Sequence, residues 1–291
     1  MPPGPRGRRP RFEQHVRARA GAGARDPLRS AAPERARRRE HPARHLRRSV
    51  KIEVFPTSAA LARAVAQRLA KTLSKREGAV LLLPVGKTAV PVYREVVRMH
   101  AAGRVSFRRA TTFNLDELQV RPTDPRSFRS FMEEHFFSKV DLPRDRIRFL
   151  RGDASDLEAE CARYERRLAR DGPPDVAFVG IGVNGHVAYL EPGRSLAPRT
   201  SPVRLSASTR RSLAADGLRP VPRGALTVGI ETILSSDAIA LVASGGRKAG
   251  AVALALAGRI TPRRPASFLA LHPRLEVFLD REAARDLSTT G

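Results

Sequence analysis

The chain has 291 residues, enough for one large domain or two small ones around a sizeable core. Its apolar fraction of 41% fits a soluble globular protein, and no run of eighteen apolar residues occurs, so neither a membrane helix nor a membrane partner is expected. A net charge of +25 ordinarily suggests a polyanionic partner, but only six of the 54 basic residues are lysine and arginine has GC-rich codons; charge alone names no partner, and no specific nucleic-acid binding is expected.

Residues 1–49 are rich in Pro, Gly, Ala and Arg and nearly free of aliphatic side chains. The first 50 residues hold 15 arginines against the four acids Glu13, Asp26, Glu34 and Glu40. Such a stretch cannot bury enough apolar surface to offset the cost of ordering, which predicts a disordered basic tail. Three readings stay open for it: a translation start placed too early, a tail for anionic polymers, or a transit peptide, the last weakened by scarce serine and many prolines. The opening MPPGPRGRRPRF lacks the apolar segment of a secretory signal, so the expected location is the cytoplasm.

Residues 50–291 are expected to form one α/β domain. KIEVF, starting at Lys51, alternates as a strand does; Pro56 stops it, and Thr57 or Ser58 can cap a helix in which Leu61, Val65, Leu69 and Leu73 recur every four residues. The alternation continues with strand 79–83, helix 88–100, strand 109–114, helix 127–140, strand 146–150, helix 155–170 and strand 175–179. Strand 238–243, helix 247–256 and strand 275–279 follow, with a short helix at the end. Strands alternating with helices predict a Rossmann-like, mostly parallel sheet covered by helices on both faces. The single cysteine, Cys161, excludes an internal disulfide and falls in a helical pattern, where core packing is its expected role.

Four loops leave the carboxyl ends of these strands, where open α/β sheets bind ligands. After strand 79–83 come Gly86, Lys87 and Thr88, just before a helix whose free N–H groups suit a phosphate. The triplet imitates the end of a nucleotide P-loop, but Leu81 stands where that motif needs glycine, which excludes the NTPase reading. After strand 109–114 come Asp116 and Glu117. Adjacent residues of an extended segment point to opposite sides, so the two should differ in role.

The stretch DVAFVGIGVNGHVAYLEP, Asp175 to Pro192, reads as a buried strand ending in a Gly-rich loop that presents Gly182, Asn184, His186 and Glu191. A histidine and a carboxylate five residues apart suggest proton transfer. Ser244-Gly245-Gly246-Arg247-Lys248 offers a further anion site with Lys248 as counter-charge. Each loop alone has a plainer reading as a turn, a solvated acid or a surface lysine. Together they describe an enzyme that acts on a phosphorylated polar metabolite by acid–base chemistry. No metal-ligand spacing or nucleotide fingerprint occurs, so no metal and no cofactor are expected.

The combination LPVGKTAVPVY, TFNLDEL, SFMEEHFF, GIGVNGHVAYLEP, ALTVGIETIL, SGGRKA and LHPRLEVFLD resembles the glucosamine-6-phosphate deaminase (isomerase) family, which shares its fold with the 6-phosphogluconolactonases. The resemblance covers residues 51–287 and implies that glucosamine 6-phosphate is opened, isomerised from aldose to ketose and hydrolysed to fructose 6-phosphate and ammonia. By the same resemblance Asp116 is the base that moves a proton from C2 to C1, and His186 assists ring opening, oriented by Glu191 and Asn184. Gly86, Lys87, Thr88, Gly182 and Lys248 hold phosphate and sugar oxygens, and a homo-oligomer is compatible with the family.

Asn184 stands where many members have Asp, Leu190 where Asn is usual, and Lys87 and Ala89 where a small residue and Pro are usual. The lid segment 209–222 is shortened, leaving Arg210, Arg211 and Arg219 as candidates for the lid arginine. Ser201 and Val203 replace the Arg and Lys of allosteric members, so activation by N-acetylglucosamine 6-phosphate is expected to be absent. Two alternatives stay open: a lactonase-like hydrolase and a phosphosugar-binding sensor with reduced catalysis.

Overall fold

The computed structural model describes residues 50–287; the expected basic tail lies outside them. The strands are β1 (Lys51–Phe55), β2 (Val80–Leu83), β3 (Thr111–Asn114), β4 (Asp116–Leu118), β5 (Ile147–Arg148), β6 (Val176–Gly180), β7 (Ser201–Arg204), β8 (Gly224–Thr227), β9 (Ile239–Ala243) and β10 (Leu275–Asp280). The helices are α1 (Ser58–Lys75), α2 (Ala89–Ala101), α3 (Phe128–His135), α4 (Leu157–Asp171), α5 (Ala207–Ala215), α6 (Ile230–Leu234), α7 (Ala249–Leu256) and α8 (Arg281–Ala284). None of the described helices is long and apolar enough to cross a membrane.

Seven strands form a wholly parallel sheet in the order β1-β10-β9-β6-β2-β3-β5. Successive side chains of a strand point to opposite faces, and each face has its own core. On β2, Leu81 and Leu83 join Leu61, Val65 and Leu69 of α1 and Val92 and Val96 of α2. Val80 and Leu82 join Cys161, Tyr164 and Leu168 of α4 and Val252 of α7 on the other face. Burial on both sides is why β2 and β9 are uninterrupted apolar runs, whereas β1, at the sheet edge, is mostly exposed. The Thr57 hydroxyl caps α1 by accepting from the Ala60 N–H at 3.1 Å.

Apart from helices α5 and α6, which were not expected, the structure departs from the expected elements in three places. The helix expected over 127–140 ends at His135, because Phe136 leaves helical geometry and turns into the core against Tyr93 and Phe107; a 3-10 turn follows at Phe137–Lys139. The strand expected over 146–150 pairs only through Ile147 and Arg148. A second sheet, antiparallel and ordered β4-β8-β7, was not anticipated. Leu115 joins the sheets: its N–H donates to the Leu83 carbonyl at 3.0 Å, and its carbonyl accepts from the Val228 N–H at 2.8 Å.

From β2 the chain runs outward through β3 to β5, then returns to the other side of β2 as β6 and continues outward through β9 and β10. The loops after β2 and β6 therefore flank the point where the strand order reverses, the usual ligand crevice of an open α/β sheet.

Candidate active site

On one side of that crevice, Gly86 takes φ +101°, a left-handed conformation, as the chain turns from β2 into α2. Thr88, at the start of α2, makes no side-chain cap; its hydroxyl instead accepts from Lys248 Nζ at 2.8 Å. This contact joins the loop after β2 to the loop after β9. Burial, and then the Arg247 charge, lower the Lys248 ammonium from its usual value to about 8. Lys87 behaves differently: its side chain is 71% exposed and its ammonium pairs with Asp216 Oδ1 at 2.6 Å, just beyond α5.

On the other side, the loop after β6 carries a hydrogen-bonded relay. His186 Nδ1 lies 2.7 Å from Asn184 Oδ1, and Asn184 Nδ2 donates to Glu191 Oε2 at 2.9 Å. An amide oxygen can only accept, so Nδ1 carries the ring proton and Nε2 is left as the acceptor of the neutral imidazole. Burial lowers the imidazole below its ordinary value; Glu191 opposes this and Lys248 adds to it. Glu191 Oε1 accepts from Ser206 Oγ at 3.1 Å and from the Thr209 hydroxyl, which fastens the N-terminus of α5 to the relay.

Gly182 serves this arrangement through its missing side chain. A Cβ there would lie 2.2 Å from His186 Cε1, and the Gly182 N–H is taken by the His186 carbonyl at 2.9 Å. Its backbone N–H is thus engaged within the loop.

Asp116 and Glu117 occupy different surroundings on β4. Glu117 accepts four hydrogen bonds, from Ser127 Oγ and the N–H groups of Leu118, Phe128 and Arg129, and so ties β4 to the N-terminus of α3. Burial nevertheless raises its carboxyl to about 7. Asp116 is buried with Oδ1 unpartnered, and burial, with the Glu117 charge second, raises it to about 8.

Asp116 pairs across the small sheet with Thr227, whose hydroxyl accepts from the Tyr189 N–H at 3.0 Å. Burial, and then the charges of Asp116, Glu117 and Glu191, raise the Tyr189 hydroxyl above its ordinary value. Among the described residues, no group of three or more His, Cys, Asp or Glu is arranged to hold a metal ion.

The model of the glucosamine-6-phosphate isomerases/6-phosphogluconolactonase family matches residues 56–277. The chain belongs to this family. A glucosamine-6-phosphate deaminase of Bacillus velezensis is 43% identical over 227 residues, covering 77% of this chain and 94% of the relative. Glucosamine-6-phosphate deaminase 1 of Bacillus subtilis is 41% identical over 238 residues, covering 81% and 98%. The solved structure of a monomeric glucosamine-6-phosphate deaminase matches with a TM-score of 0.79 at 40% identity, over 81% of this chain and 99% of that one. A 6-phosphogluconolactonase of Trypanosoma brucei matches at 22% identity with a TM-score of 0.65, which shows the shared family fold alone.

Leu190 is buried in the apolar core. The side chains of Arg210, Arg211 and Arg219 are exposed and make no hydrogen bond or ion pair among the described residues. Ser206, Thr209, Thr227 and Asp216 escaped the sequence reading. The spacing of Ser206 and Thr209, in which the serine caps a helix and bonds the Thr209 N–H at 3.1 Å, was the one local signal available.

Proposed function

We propose that this chain, through a domain spanning residues 50–291, is a cytoplasmic glucosamine-6-phosphate deaminase. It opens the sugar phosphate, moves a proton from C2 to C1 and releases ammonia by hydrolysis to leave fructose 6-phosphate. The observation that carries the reading is the buried, unpartnered Asp116 oxygen in the same fold as an imidazole with Nε2 free to accept. The relatives at 41–43% identity, named as deaminases and covered almost end to end, support it.

The roles follow from the chemistry of each group. The N–H groups at the start of α2, with Thr88 and Lys248, hold the phosphate, where the helix dipole and an ammonium add. His186 Nε2 takes the anomeric hydroxyl proton and passes it to the ring oxygen, which opens the ring. Asn184 and Glu191 keep the imidazole in the required tautomer. Asp116, as carboxylate, takes the C2 proton and returns it to C1, so the aldose becomes a ketose imine; water then adds at C2 and ammonia leaves. A base with a pKa of about 8 is stronger than an ordinary carboxylate, as removal of a carbon-bound proton requires.

The deciding experiment is a coupled ammonia assay on glucosamine 6-phosphate, with 6-phosphogluconolactone tested in parallel. Ammonia release supports the proposal. Lactone hydrolysis without ammonia assigns the other branch of the family, and binding without either turnover leaves the sensor reading. Light scattering on the purified chain decides between a monomer and a homo-oligomer.

A further inference from the structure

Away from the crevice, the β5 edge of the main sheet carries a pocket of about 240 Å³ whose rim is five arginines, Arg129, Arg148, Arg151, Arg163 and Arg167, over a floor of Ile147 and Phe149. Three elements converge to build it: α3 supplies Arg129, β5 and the loop after it supply Arg148 and Arg151, and α4 supplies Arg163 and Arg167, one turn apart on the same face. None of these residues belongs to the site described above.

The guanidinium groups are positioned rather than loose. Arg163 binds Glu160 through two bonds of 2.6 Å and also donates to the Phe149 carbonyl at 3.1 Å. Arg148 binds Asp171 at 2.7 Å. Arg129 binds Glu133 at 3.2 Å and lies 5.8 Å over the Phe149 ring. Those carboxylates are shared further, Glu133 with Arg144 and Asp171 with Arg170.

Arg151 and Arg167 have no carboxylate within ion-pair distance among the described residues. Arg167 is held below its ordinary value by burial and then by the charges of Arg163, Arg148 and Arg170. Positive charge therefore accumulates here beyond what the local acids neutralise. A planar guanidinium fork matches phosphate oxygens in pairs, and convergence of several from different elements favours a compact, doubly charged anion. The volume is below that of pockets for drug-sized ligands, which limits the occupant to a small molecule.

We propose that this pocket is a second anion site that takes a phosphate dianion, either inorganic phosphate or the phosphoryl end of a small phosphomonoester. It is independent of the sugar-phosphate site and does not depend on the activity proposed above.

The test is isothermal titration calorimetry of the full chain with inorganic phosphate and, separately, glycerol 3-phosphate. The same titrations are run on the double variant Arg151→Gln/Arg167→Gln and on Lys248→Ala. Neither arginine has a carboxylate partner to strand, and the single variants Arg151→Gln and Arg167→Gln serve if the double one fails to fold. The expected result is a site that survives in Lys248→Ala and weakens about tenfold or more in the arginine variants. A tighter titration with one ligand identifies which phosphate source fills it, and either supports the proposal. Retention of all binding in the arginine variants overturns it, as does loss of all binding in Lys248→Ala. An oligonucleotide that displaces phosphate at equal or lower concentration would instead make the pocket part of a polyanion surface, and the proposal would fail.

Discussion

Lys248 Nζ donates to Thr88 Oγ1 at 2.8 Å, closing a contact between loops 160 residues apart in the chain. Removing the ammonium as Lys248→Ala should raise KM for glucosamine 6-phosphate by about ten- to a hundredfold and leave kcat within about threefold, if the charge meets the phosphate, as proposed, and not the reacting carbons. With its value lowered to about 8, Lys248 loses its proton as the pH passes that point, so KM should climb above about pH 8 in the wild type. Steady-state kinetics from pH 6 to 9.5 should show this alkaline limb vanish in the variant. A pure kcat effect would remove Lys248 from phosphate binding.

Asp116→Asn should lower ammonia release by about 10³-fold while leaving phosphosugar binding by calorimetry nearly intact. In the wild type, kcat/KM should rise with pH up to about 8 as the buried carboxyl ionises. The same shift fixes the sign of a stability effect. The folded-state value lies above the ordinary one, so the Asp116 contribution is full below about pH 4 and is lost as the pH rises through about 8. Asp116→Asn cannot ionise and should melt roughly a few degrees above the wild type at pH 8.5, with the gap narrowing as the pH falls and closing near pH 4. Equal melting curves at both pH values would show that burial does not penalise the Asp116 charge.

Much of this was legible from the chain. β2, β6 and β9 are buried on both faces and so announce themselves as apolar runs, and the expected divergence of Asp116 and Glu117 appears in their different partners. The small sheet was not legible. Asp116–Leu118 contains two acids, Ser201–Arg204 contains Pro202, and Gly224–Thr227 opens on glycine; strands of three or four residues are too short to display a period. The hold of Ser206 and Thr209 on Glu191, across 15 and 18 residues, and that of Tyr189 on Thr227, across 38, exist only once the tertiary fold forms.

Gly182→Ala tests the seat of the imidazole. The new Cβ would intrude to 2.2 Å from the ring, so His186 must turn away and lose its 2.7 Å contact with Asn184. We expect kcat to fall about a hundredfold with the melting temperature changed by no more than about 5 °C. Wild-type kcat would release His186 from the reaction.

Asn184→Asp places a carboxylate against the imidazole and, 2.9 Å away, against Glu191. The added charge should raise the His186 value, which burial now holds down, by about one unit, and shift a lower break in the rate profile that lies beneath the one set by Asp116 near 8. Nuclear magnetic resonance titration of the imidazole, against Asn184→Gln as control, reads this directly. No change in either profile or titration would break the link between position 184 and the ring.

Lys87→Ala should alter KM by no more than about twofold, far less than Lys248→Ala, because its ammonium is committed to Asp216 on an exposed surface. A tenfold rise would mean that Lys87 leaves that partner when the phosphate arrives.

Leu115 donates a hydrogen bond to Leu83 of the parallel sheet and accepts one from Val228 just past the end of β8, and immediately after it the chain changes from the parallel sheet to the antiparallel one. The loops after β2 and β6 thus leave the parallel sheet, while the buried Asp116 lies on the antiparallel one joined to it at Leu115. On the proposed assignment, substitutions confined to the three-strand ribbon would retune the distance from acid to sugar carbon while leaving the grip on the phosphate end in place, giving evolution separate handles on chemistry and on recognition.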